Sequence, residues 1–390
     1  MKCLRCHNTD PTFFYKDHGS WYCRKCISFS RLDAGLHVQK HVYRSRKVSV
    51  RPKMKFAYTK AQKQIVQQIL DGLRQKKDLF VYAATGAGKT EITYEAICMY
   101  LAEGKKVGFA ISRRQVVLEI TERLRQAFPS LSVVPVTKGY TDVIDGDIIV
   151  CTMHQLYRYP STFDLLIYDE VDAFPFAGNE VLKQISLQAC KGQRLYLSAT
   201  PDEENFKEIE KGSMKMVCLF ERPHQHPLIV PQVRKGSWIA QIVWILFYCR
   251  QWVKDKKQIL LFVPRKKDAE RIAHLLTLLL RVKPIHSDTL DKDEIMEQFH
   301  HKELDVLVCT TLLERGITVP SVQVLVYHAD HSVFTTASLI QIFGRVGRSF
   351  QDPEGRGICL CQTISEPIRG CIRQLQWMNM NQSARSAASR

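Results

Sequence analysis

Short runs of apolar residues recur along most of the chain and are separated by segments long enough to form helices. In the first half, these runs occupy residues 107–111, 148–152, 165–169 and 194–198, and each is rich in leucine or β-branched residues. Buried strands that alternate with helices are typical of a parallel sheet covered on both faces. The pattern therefore predicts an α/β domain.

A second α/β domain is predicted further along the chain. The proline- and histidine-rich segment 222–227 interrupts the alternation, which then resumes with apolar runs at 259–263, 305–309, 322–328 and 357–363. Such a break marks an interdomain linker. We place the first domain at 56–221, the linker at 222–235, the second domain at 236–380 and a flexible tail at 381–390. The most apolar stretch, 238–249, is interrupted by Gln241 and is predicted to be a buried helix.

A phosphate-binding loop follows the apolar run at 79–82. Its sequence is Ala-Ala-Thr-Gly-Ala-Gly-Lys-Thr, and small residues let backbone amides surround phosphate oxygens. Lys89 is expected to reach the outer phosphates of ATP, and the Thr90 hydroxyl to bind Mg²⁺. Ala83 stands where the general pattern has glycine. The predicted nucleotide-binding residues are Ala83, Thr85, Gly86, Ala87, Gly88, Lys89 and Thr90.

Two carboxylates lie at the end of the run 165–169, where parallel sheets usually bind ligands. Asp169 suits Mg²⁺, and Glu170 is positioned to orient the attacking water. In the second domain, Arg345 and Arg348 are predicted to lie on one helical face and to act as arginine fingers on a bound phosphate. The segment 310–317 follows a strand and is expected beside both nucleotide and polynucleotide.

The charge of the chain indicates a polyanionic partner. Fifty-six Lys and Arg against 39 Asp and Glu leave a formal net charge of +17. Nucleic acid is the leading candidate, and an anionic membrane surface is the alternative that charge alone does not separate. No apolar run is long enough to span a bilayer, and the N-terminus does not resemble a signal peptide, so we expect a cytoplasmic chain.

The spacing of four cysteines predicts a zinc site at the N-terminus. The chain has 13 cysteines, and sixteen residues separate the pair Cys3 and Cys6 from the pair Cys23 and Cys26. Four thiolates at this spacing suit a closed, tetrahedral structural Zn²⁺ in a small ribbon at 1–30. The other cysteines are interpreted as small core residues. Residues 31–55 are strongly basic, and are either a linker or first helix beside the nucleic-acid path, or a solvated connector.

Taken in order, these segments resemble superfamily 2 helicases and translocases, which implies two tandem RecA-like parallel-sheet domains behind the zinc ribbon. Residues 83–90, 169–172, 198–200, 310–317 and 341–348 match motifs I, II, III, V and VI, with Gln341 and Gly316 among the expected site residues. The strings at 310–320 and 341–349, with the four-cysteine ribbon in front, are most similar to the ComFA family. That resemblance implies a DNA-dependent ATPase of natural transformation, with single-stranded DNA and other competence proteins as partners, acting at the cytoplasmic side of the uptake channel. Self-association is left open.

The resemblance also implies residues that face DNA and adenine. Arg113 and Arg114 match motif Ia, and the segment containing Thr152, His154 and Gln155 matches the next DNA-facing motif. Thr310 belongs to motif V. Gln62 matches the adenine-sensing position, although a helix start capped by Thr59 explains the same residues. The full set of expected DNA contacts is Arg113, Arg114, Thr152, His154, Gln155 and Thr310.

Two departures weaken an RNA-helicase interpretation: motif II reads Asp-Glu-Val-Asp, and Thr318 stands where relatives have aspartate. A primosome- or repair-type helicase remains the alternative motor. A non-enzymatic zinc-dependent binding module is the other alternative, and Lys89, Glu170 and Arg348 argue against it.

Overall fold

A computed structural model describes residues 1–36, 43–171, 178–201, 203–311, 319 and 321–387. The chain divides into two compact units. The first contains Met1–Ala83 and Gly88–Leu219, and the second contains Ala84–Ala87 and Phe220–Arg390. The N-terminal ribbon therefore belongs to the first unit.

The first unit consists of a short antiparallel hairpin and a seven-stranded parallel sheet. The hairpin joins β1 (Phe14–Asp17) to β2 (Ser20–Cys23), with Tyr15 opposite Tyr22. The sheet has the strand order β5-β6-β4-β7-β8-β3-β9. Its elements are α1 (Lys60–Arg74), β3 (Asp78–Ala83), α2 (Tyr94–Ala102), β4 (Val107–Ile111), α3 (Arg114–Ala127), β5 (Val133–Val136), β6 (Ile148–Thr152), β7 (Phe163–Asp169), α4 (Glu180–Ala189), β8 (Cys190–Ser198), α5 (Glu203–Glu210) and β9 (Met214–Leu219).

The second unit contains a six-stranded parallel sheet with the order β10-β15-β14-β11-β13-β12. The predicted fold class, two parallel-sheet α/β domains behind a four-cysteine ribbon, is confirmed. The elements of this unit are β10 (Gln232–Lys235), α6 (Trp238–Lys254), β11 (Gln258–Phe262), α7 (Lys266–Thr277), β12 (Val282–Ile285), α8 (Lys292–His300), β13 (Val306–Cys309), β14 (Val322–Val326), α9 (Thr336–Phe343), β15 (Gly357–Cys361) and α10 (Glu366–Ala387).

Central strands and scattered cysteines follow the sequence pattern. The strands β3, β4, β6 and β7 are buried along almost their whole length, as continuous apolar runs in a parallel sheet should be. Cys151, Cys309 and Cys359 have no measurable exposure and lie within strands. They act as small core residues, as predicted.

Helix α6 corrects one prediction. The run 238–249 does form a helix, with Ile245, Cys249 and Trp252 in the core. Its opposite face is not buried, because Trp238, Ile239, Val243 and Phe247 are each 57–59% exposed. The stretch is therefore half-buried, with apolar residues on both faces. Among the described residues, none of the helices combines the length and apolarity needed to cross a bilayer.

Two predicted boundaries also change. The expected linker 222–235 ends earlier, because Gln232–Lys235 forms the edge strand β10 beside β15. The expected flexible tail at 381–390 is helical as far as Ala387, within α10.

The basic segment forms an extended strap rather than a helix. Residues 43–53, called the strap below, have no regular secondary structure. The side chain of Arg46 pairs with Asp147 at 2.8 Å, the backbone N–H of Val48 donates to Leu101, and that of Lys53 donates to Ala127. These partners precede β6 or end α2 and α3, so they lie at the edge where the parallel strands begin. The first-helix alternative is wrong, because these backbone groups bond to neighbouring elements instead.

Candidate functional site

The predicted motifs of the first unit converge on one edge of its sheet. The phosphate-binding loop follows β3, Arg113 and Arg114 follow β4, and His154 follows β6. Asp169 ends β7, and Ser198 ends β8. Because all these strands are parallel, their carboxyl ends share one edge, opposite the strap. ATP-binding and DNA-facing segments predicted from sequence are thus neighbours in the fold.

The phosphate-binding loop requires glycine at residue 88. Gly88 has φ +83°, and a Cβ atom there would lie 2.5 Å from the side-chain nitrogen of Gln62. Thr90 is buried, and Lys89 is half-buried. The loop leads into a short 3-10 helix, Glu91–Thr93, so that α2 begins only at Tyr94.

Gln62 serves as a helix cap. Its side-chain oxygen accepts a hydrogen bond from the backbone N–H of Thr59 at 3.0 Å, and its own N–H donates to the Thr59 hydroxyl at 3.2 Å. This reciprocal capping box confirms the structural interpretation of the residue. Because its amide also approaches Gly88, the capped helix end borders the phosphate-binding loop. Contact with adenine stays a prediction.

The two carboxylates differ in backbone conformation. Asp169 is buried in its strand, whereas Glu170 has φ +57°. Its N–H donates to the Leu197 carbonyl at 3.2 Å and to the Asp169 carboxylate at 3.0 Å, and the Ser112 hydroxyl donates to its carbonyl. A left-handed conformation at a residue other than glycine is uncommon and concentrates at functional sites. Asp172, also part of motif II, lies outside the described residues.

Motif III forms a compact turn beside these carboxylates in the sheet. The Thr200 N–H donates to the Ser198 hydroxyl at 3.0 Å, and that hydroxyl donates to the Thr200 carbonyl. Both residues and Ala199 are buried. The turn is fixed by its own hydrogen bonds at the end of β8.

The segments expected to face DNA are only partly exposed. Arg114 is exposed, donates to the Lys138 carbonyl at 3.1 Å and lies 5.7 Å from the centre of the Tyr140 ring. Arg113 is half-buried at the N-cap of α3. His154 is exposed overall, but part of the residue is buried, and this partial burial lowers the pKa of its imidazole. Thr152 is 8% exposed, and Gln155 accepts a hydrogen bond from Arg158.

The predicted helical placement of the two arginines is wrong. Helix α9 contains Gln341 but ends at Phe343, and Arg345 and Arg348 lie in the turns that follow. Gly344 is the C-cap, and Gly347 has φ +65°, a left-handed conformation that a continuing helix excludes. Arg345 is 3% exposed, and the Arg348 side chain donates to the Gly344 carbonyl at 2.9 Å.

Sequence reasoning missed Arg222, which holds this turn in place. Arg222 is 1% exposed and donates to the carbonyl oxygens of Gly344, Val346 and Gly347 at 2.8–2.9 Å. Burial, with the nearby charge of Arg348, lowers its pKa to about 9. The residue was assigned to a linker because proline and histidine follow it. The adjacent His224 also bonds to Gly347, at 2.9 Å.

Motif V is described only at its start. Thr310 is half-buried after β13, and its N–H donates to the Ile285 carbonyl at 3.3 Å. Gly316 lies outside the described residues.

The four N-terminal cysteines form one cluster. Cys3, Cys6, Cys23 and Cys26 are buried, with all four sulfur atoms within 4.8 Å of one another. The Cys3–Cys26 and Cys6–Cys23 sulfur distances are 3.6 and 3.8 Å. Tetrahedral Zn²⁺ with Zn–S bonds of about 2.3 Å would place its sulfurs ~3.8 Å apart. The donor set and its spacing fit zinc.

Comparison with known proteins identifies the family. Residues 55–203 match the family "Type III restriction enzyme, res subunit", and residues 239–350 match "Helicase conserved C-terminal domain". The competence protein ComFA of Streptococcus pneumoniae is 32% identical over 97% of this chain and 90% of its own length. The chain belongs to the ComFA family. ComFA of Bacillus subtilis is also 32% identical, over 91% of this chain and 80% of its own length.

Solved structures of helicases share the fold of this ComFA-family chain. RecG bound to a three-way DNA junction superimposes with a TM-score of 0.61 at 21% identity, over 84% of this chain and 45% of RecG. Saccharomyces cerevisiae Dbp5 bound to RNA and ADP BeF3 gives 0.58 at 15% identity, over 83% of this chain and 92% of Dbp5. The two matched families and these folds make the chain a superfamily 2 helicase-like motor, which uses a nucleotide and Mg²⁺.

In this member of the ComFA family, the ribbon packs on the side of the first unit, against the short 3-10 helix Met153–Arg158 that follows β6 and against the end of α4. Phe29, which is 9% exposed, stacks on His154 with ring centres 6.0 Å apart, and contacts Tyr157 at 5.8 Å. His7 also hydrogen-bonds to Gln188 of α4 at 2.9 Å. One sequence signal for this contact is the aromatic residue Phe29, three positions after Cys26.

Proposed function

We propose that the chain is a single-stranded-DNA-dependent ATPase that drives DNA uptake across the cytoplasmic membrane during natural competence. The observation that carries this proposal is the convergence of ATP and DNA segments on one sheet edge in a chain whose ComFA relatives are competence proteins. The net charge of +17 supports a polyanionic partner.

In this proposal, each residue at the edge has a defined role. Lys89 binds the outer phosphates of ATP, and Thr90 and Asp169 supply oxygen ligands for Mg²⁺. Glu170 orients the water that attacks the terminal phosphorus, and its fixed backbone holds the carboxylate in place. Arg345 and Arg348 stabilise charge on the transferred phosphoryl group. Because Lys89 belongs to the first unit and these arginines to the second, neither unit alone should turn over ATP.

The polymer is tracked through its backbone. Arg113, Arg114, Thr152, His154, Gln155 and Thr310 contact sugar and phosphate, which makes binding tolerant of sequence and sensitive to salt. The deciding experiment compares steady-state ATP turnover with single-stranded DNA, duplex DNA and RNA. We expect the largest stimulation from single-stranded DNA. Equal stimulation by all three polymers, or by none, would contradict the proposal.

A repair-type DNA helicase is the second candidate. Staphylococcus aureus RecG is 25% identical over 77% of this chain, which spans about half of RecG. A strand-displacement assay on a forked duplex separates the two functions, because a translocase hydrolyses ATP on single strands without separating the fork.

We also propose that the motor works at the cytoplasmic face of the membrane, beside other competence proteins. The exposed residues Ile239, Val243 and Phe247 form an apolar stripe on α6, which ends in the exposed cations Arg250 and Lys254. An amphipathic surface of this composition suits an anionic bilayer. Flotation with vesicles containing anionic lipid tests this placement. Phe247→Ser should reduce flotation, whereas a change in oligomeric state instead would assign the stripe to self-association.

A further inference from the structure

The ribbon exposes three aromatic side chains, each beside a cation. Phe13, Tyr15 and Trp21 are 38%, 44% and 41% exposed. The Lys25 ammonium lies 5.4 Å from the centre of the Phe13 ring, the Arg24 guanidinium lies 4.3 Å from that of Tyr15, and Trp21 stands opposite Lys16 in the hairpin. Aromatic rings interleaved with cations are the composition with which proteins bind single-stranded nucleic acid.

The acidic residues of the ribbon do not cancel this charge. Residues 1–36 contain six Lys or Arg and three Asp. Two of the three carboxylates, Asp17 and Asp33, pair with Arg31 at 2.5 and 2.9 Å. The third, Asp10, accepts hydrogen bonds from Thr12 and interacts with the charge of Lys25, so the net charge of residues 1–36 stays positive and can attract an anion.

The ribbon is also held where a strand of DNA would reach it. Phe29 packs on His154 and Tyr157, in the short 3-10 helix Met153–Arg158 that follows β6. That helix begins at the functional edge of the sheet. The hydrogen bond from Gln188 to His7 provides a second attachment. The ribbon therefore lies beside His154, one of the expected DNA contacts, and reaches along the side of the first unit to the end of α4.

We infer that the ribbon is a second binding site for single-stranded DNA, which lengthens the track of the first unit by stacking a base on Tyr15, beside Arg24. This inference rests on the proposed function. The extra contacts should matter only for a strand long enough to reach both surfaces, which gives the site a signature that general weakening of the motor would not produce.

The experiment uses the full chain with the substitution Tyr15→Ala. Fluorescence anisotropy measures affinity for oligo(dT) of about 8 and about 30 nucleotides, lengths that bracket common footprints of ~4–16 nucleotides. Stacking is worth about 1–3 kcal/mol per base, so we expect roughly tenfold or greater loss for the long strand. Affinity for the short strand and basal ATP turnover should be unchanged. Trp238→Ala, which removes a 58% exposed tryptophan from α6, is the matched control.

A second variant guards against misfolding of the ribbon. Arg24→Glu combined with Lys25→Glu alters exposed positions only and should lower the salt dependence of long-strand binding by about two ion equivalents. Metal analysis checks that every variant binds zinc. If the aromatic variant has lost its zinc, the charge-reversal variant is the one that tests the inference. Unchanged long-strand affinity in a zinc-loaded variant would overturn the inference, as would equal losses for both lengths. Wild-type protein that binds no single-stranded DNA would instead defeat the proposed function itself.

Discussion

The guanidinium of Arg222 donates a hydrogen bond to the carbonyl oxygen of Gly347 at 2.9 Å. Gly344 and Val346 accept further hydrogen bonds from the same group, so one buried side chain fixes the turn that carries Arg345 and Arg348. A planar guanidinium with several fixed donors suits such a set of carbonyls, and an ammonium group does not reproduce it.

We predict that Arg222→Lys lowers ATP turnover by about tenfold or more, because each lost hydrogen bond to a charged group is worth ~1.5–3 kcal/mol and the turn loosens. Nucleotide affinity should change less. Steady-state turnover and nucleotide titration measure the two effects. Arg234→Lys, at an exposed position in the same unit, is the control. Wild-type turnover in Arg222→Lys would mean that the turn does not need this clamp.

Glu170 and Lys89 should fail in different ways. Glu170→Gln is expected to keep ATP binding and lose turnover by about 100-fold or more, because the amide cannot deprotonate or orient water equally well. Lys89→Ala should lose both binding and turnover, since it removes a phosphate contact. Nucleotide titration beside an ATPase assay separates the two. Near-normal turnover in Glu170→Gln would remove this residue from the proposed mechanism.

Arg114→Ala should weaken the response to DNA more than basal catalysis. Its exposed guanidinium follows β4, donates to the Lys138 carbonyl, and is proposed to contact a phosphate of DNA. We expect the concentration of single-stranded DNA for half-maximal stimulation to rise about tenfold, and basal turnover to stay within about twofold. Equal losses of basal and stimulated turnover would indicate a folding defect. Arg123→Ala, later in the same helix, is the control.

Cys23→Ser should release zinc and unfold residues 1 to about 30, because so small a ribbon has too little core without metal. Basal ATP turnover should survive, since the first sheet has a core of its own. Affinity for long single-stranded DNA should fall. Zinc analysis, basal turnover and DNA titration test the three points. A folded mutant with no basal turnover would show that the ribbon is required by the motor, through contacts such as Phe29 with His154.

Lys106 should be important for the stability of the first unit. Its side chain is 4% exposed, pairs with Asp145 at 2.5 Å and donates to the Arg44 carbonyl of the strap at 2.9 Å. Lys106→Met removes one member of this buried group. We expect the free energy of unfolding, measured in urea, to fall by about 3 kcal/mol. Lys105→Met, at the neighbouring residue, whose side chain is 43% exposed, should have little effect.

The difference in unfolding free energy between wild type and Lys106→Met should become smaller in acid. Burial is the largest single influence on Asp145 and opposes its ionisation, but the hydrogen bonds from Lys106 and from the Arg44 N–H, together with the charge of Lys106, outweigh burial and lower the pKa of Asp145. A carboxylate with a lowered folded pKa stabilises the protein above its unfolded value of ~3.9 and loses that contribution as the pH falls through the folded value. Urea unfolding from pH 7 downwards measures this. A difference that stays constant into acid would contradict the assigned pairing.

The sequence predicted the central strands well and the outermost strands poorly. β4 and β6 begin and end at the predicted residues, because a strand buried on both faces is a continuous apolar run. The four strands that were missed, β5, β9, β10 and β12, are the two edges of each sheet. Edge strands have a neighbour on one side only, so their sequences tolerate exposed and proline residues, such as Pro135 and Pro284.

Site residues could likewise be predicted where the sequence carries a local pattern, and not where their partners are distant in sequence. Lys89, Asp169 and Glu170 were predicted because strand ends and a glycine-rich loop leave a local pattern. The role of Arg222 was not, because its partners lie more than 120 residues away in sequence. The helical placement of Arg345 and Arg348 failed because a glycine precedes each of them and the helix ends there.

The core cysteines give the chain a simple chemical selectivity. Burial raises the pKa of Cys249 to about 12 and that of Cys190 to about 11, and it raises the pKa values of Cys151 and Cys309 as well. Thiolates react with alkylating reagents and thiols do not, so these groups are inert while the sheets stay folded. Alkylation of the native chain after zinc chelation should therefore label the ribbon well before these buried cysteines, and mass spectrometry of the labelled peptides would record metal release and global unfolding as two separate events.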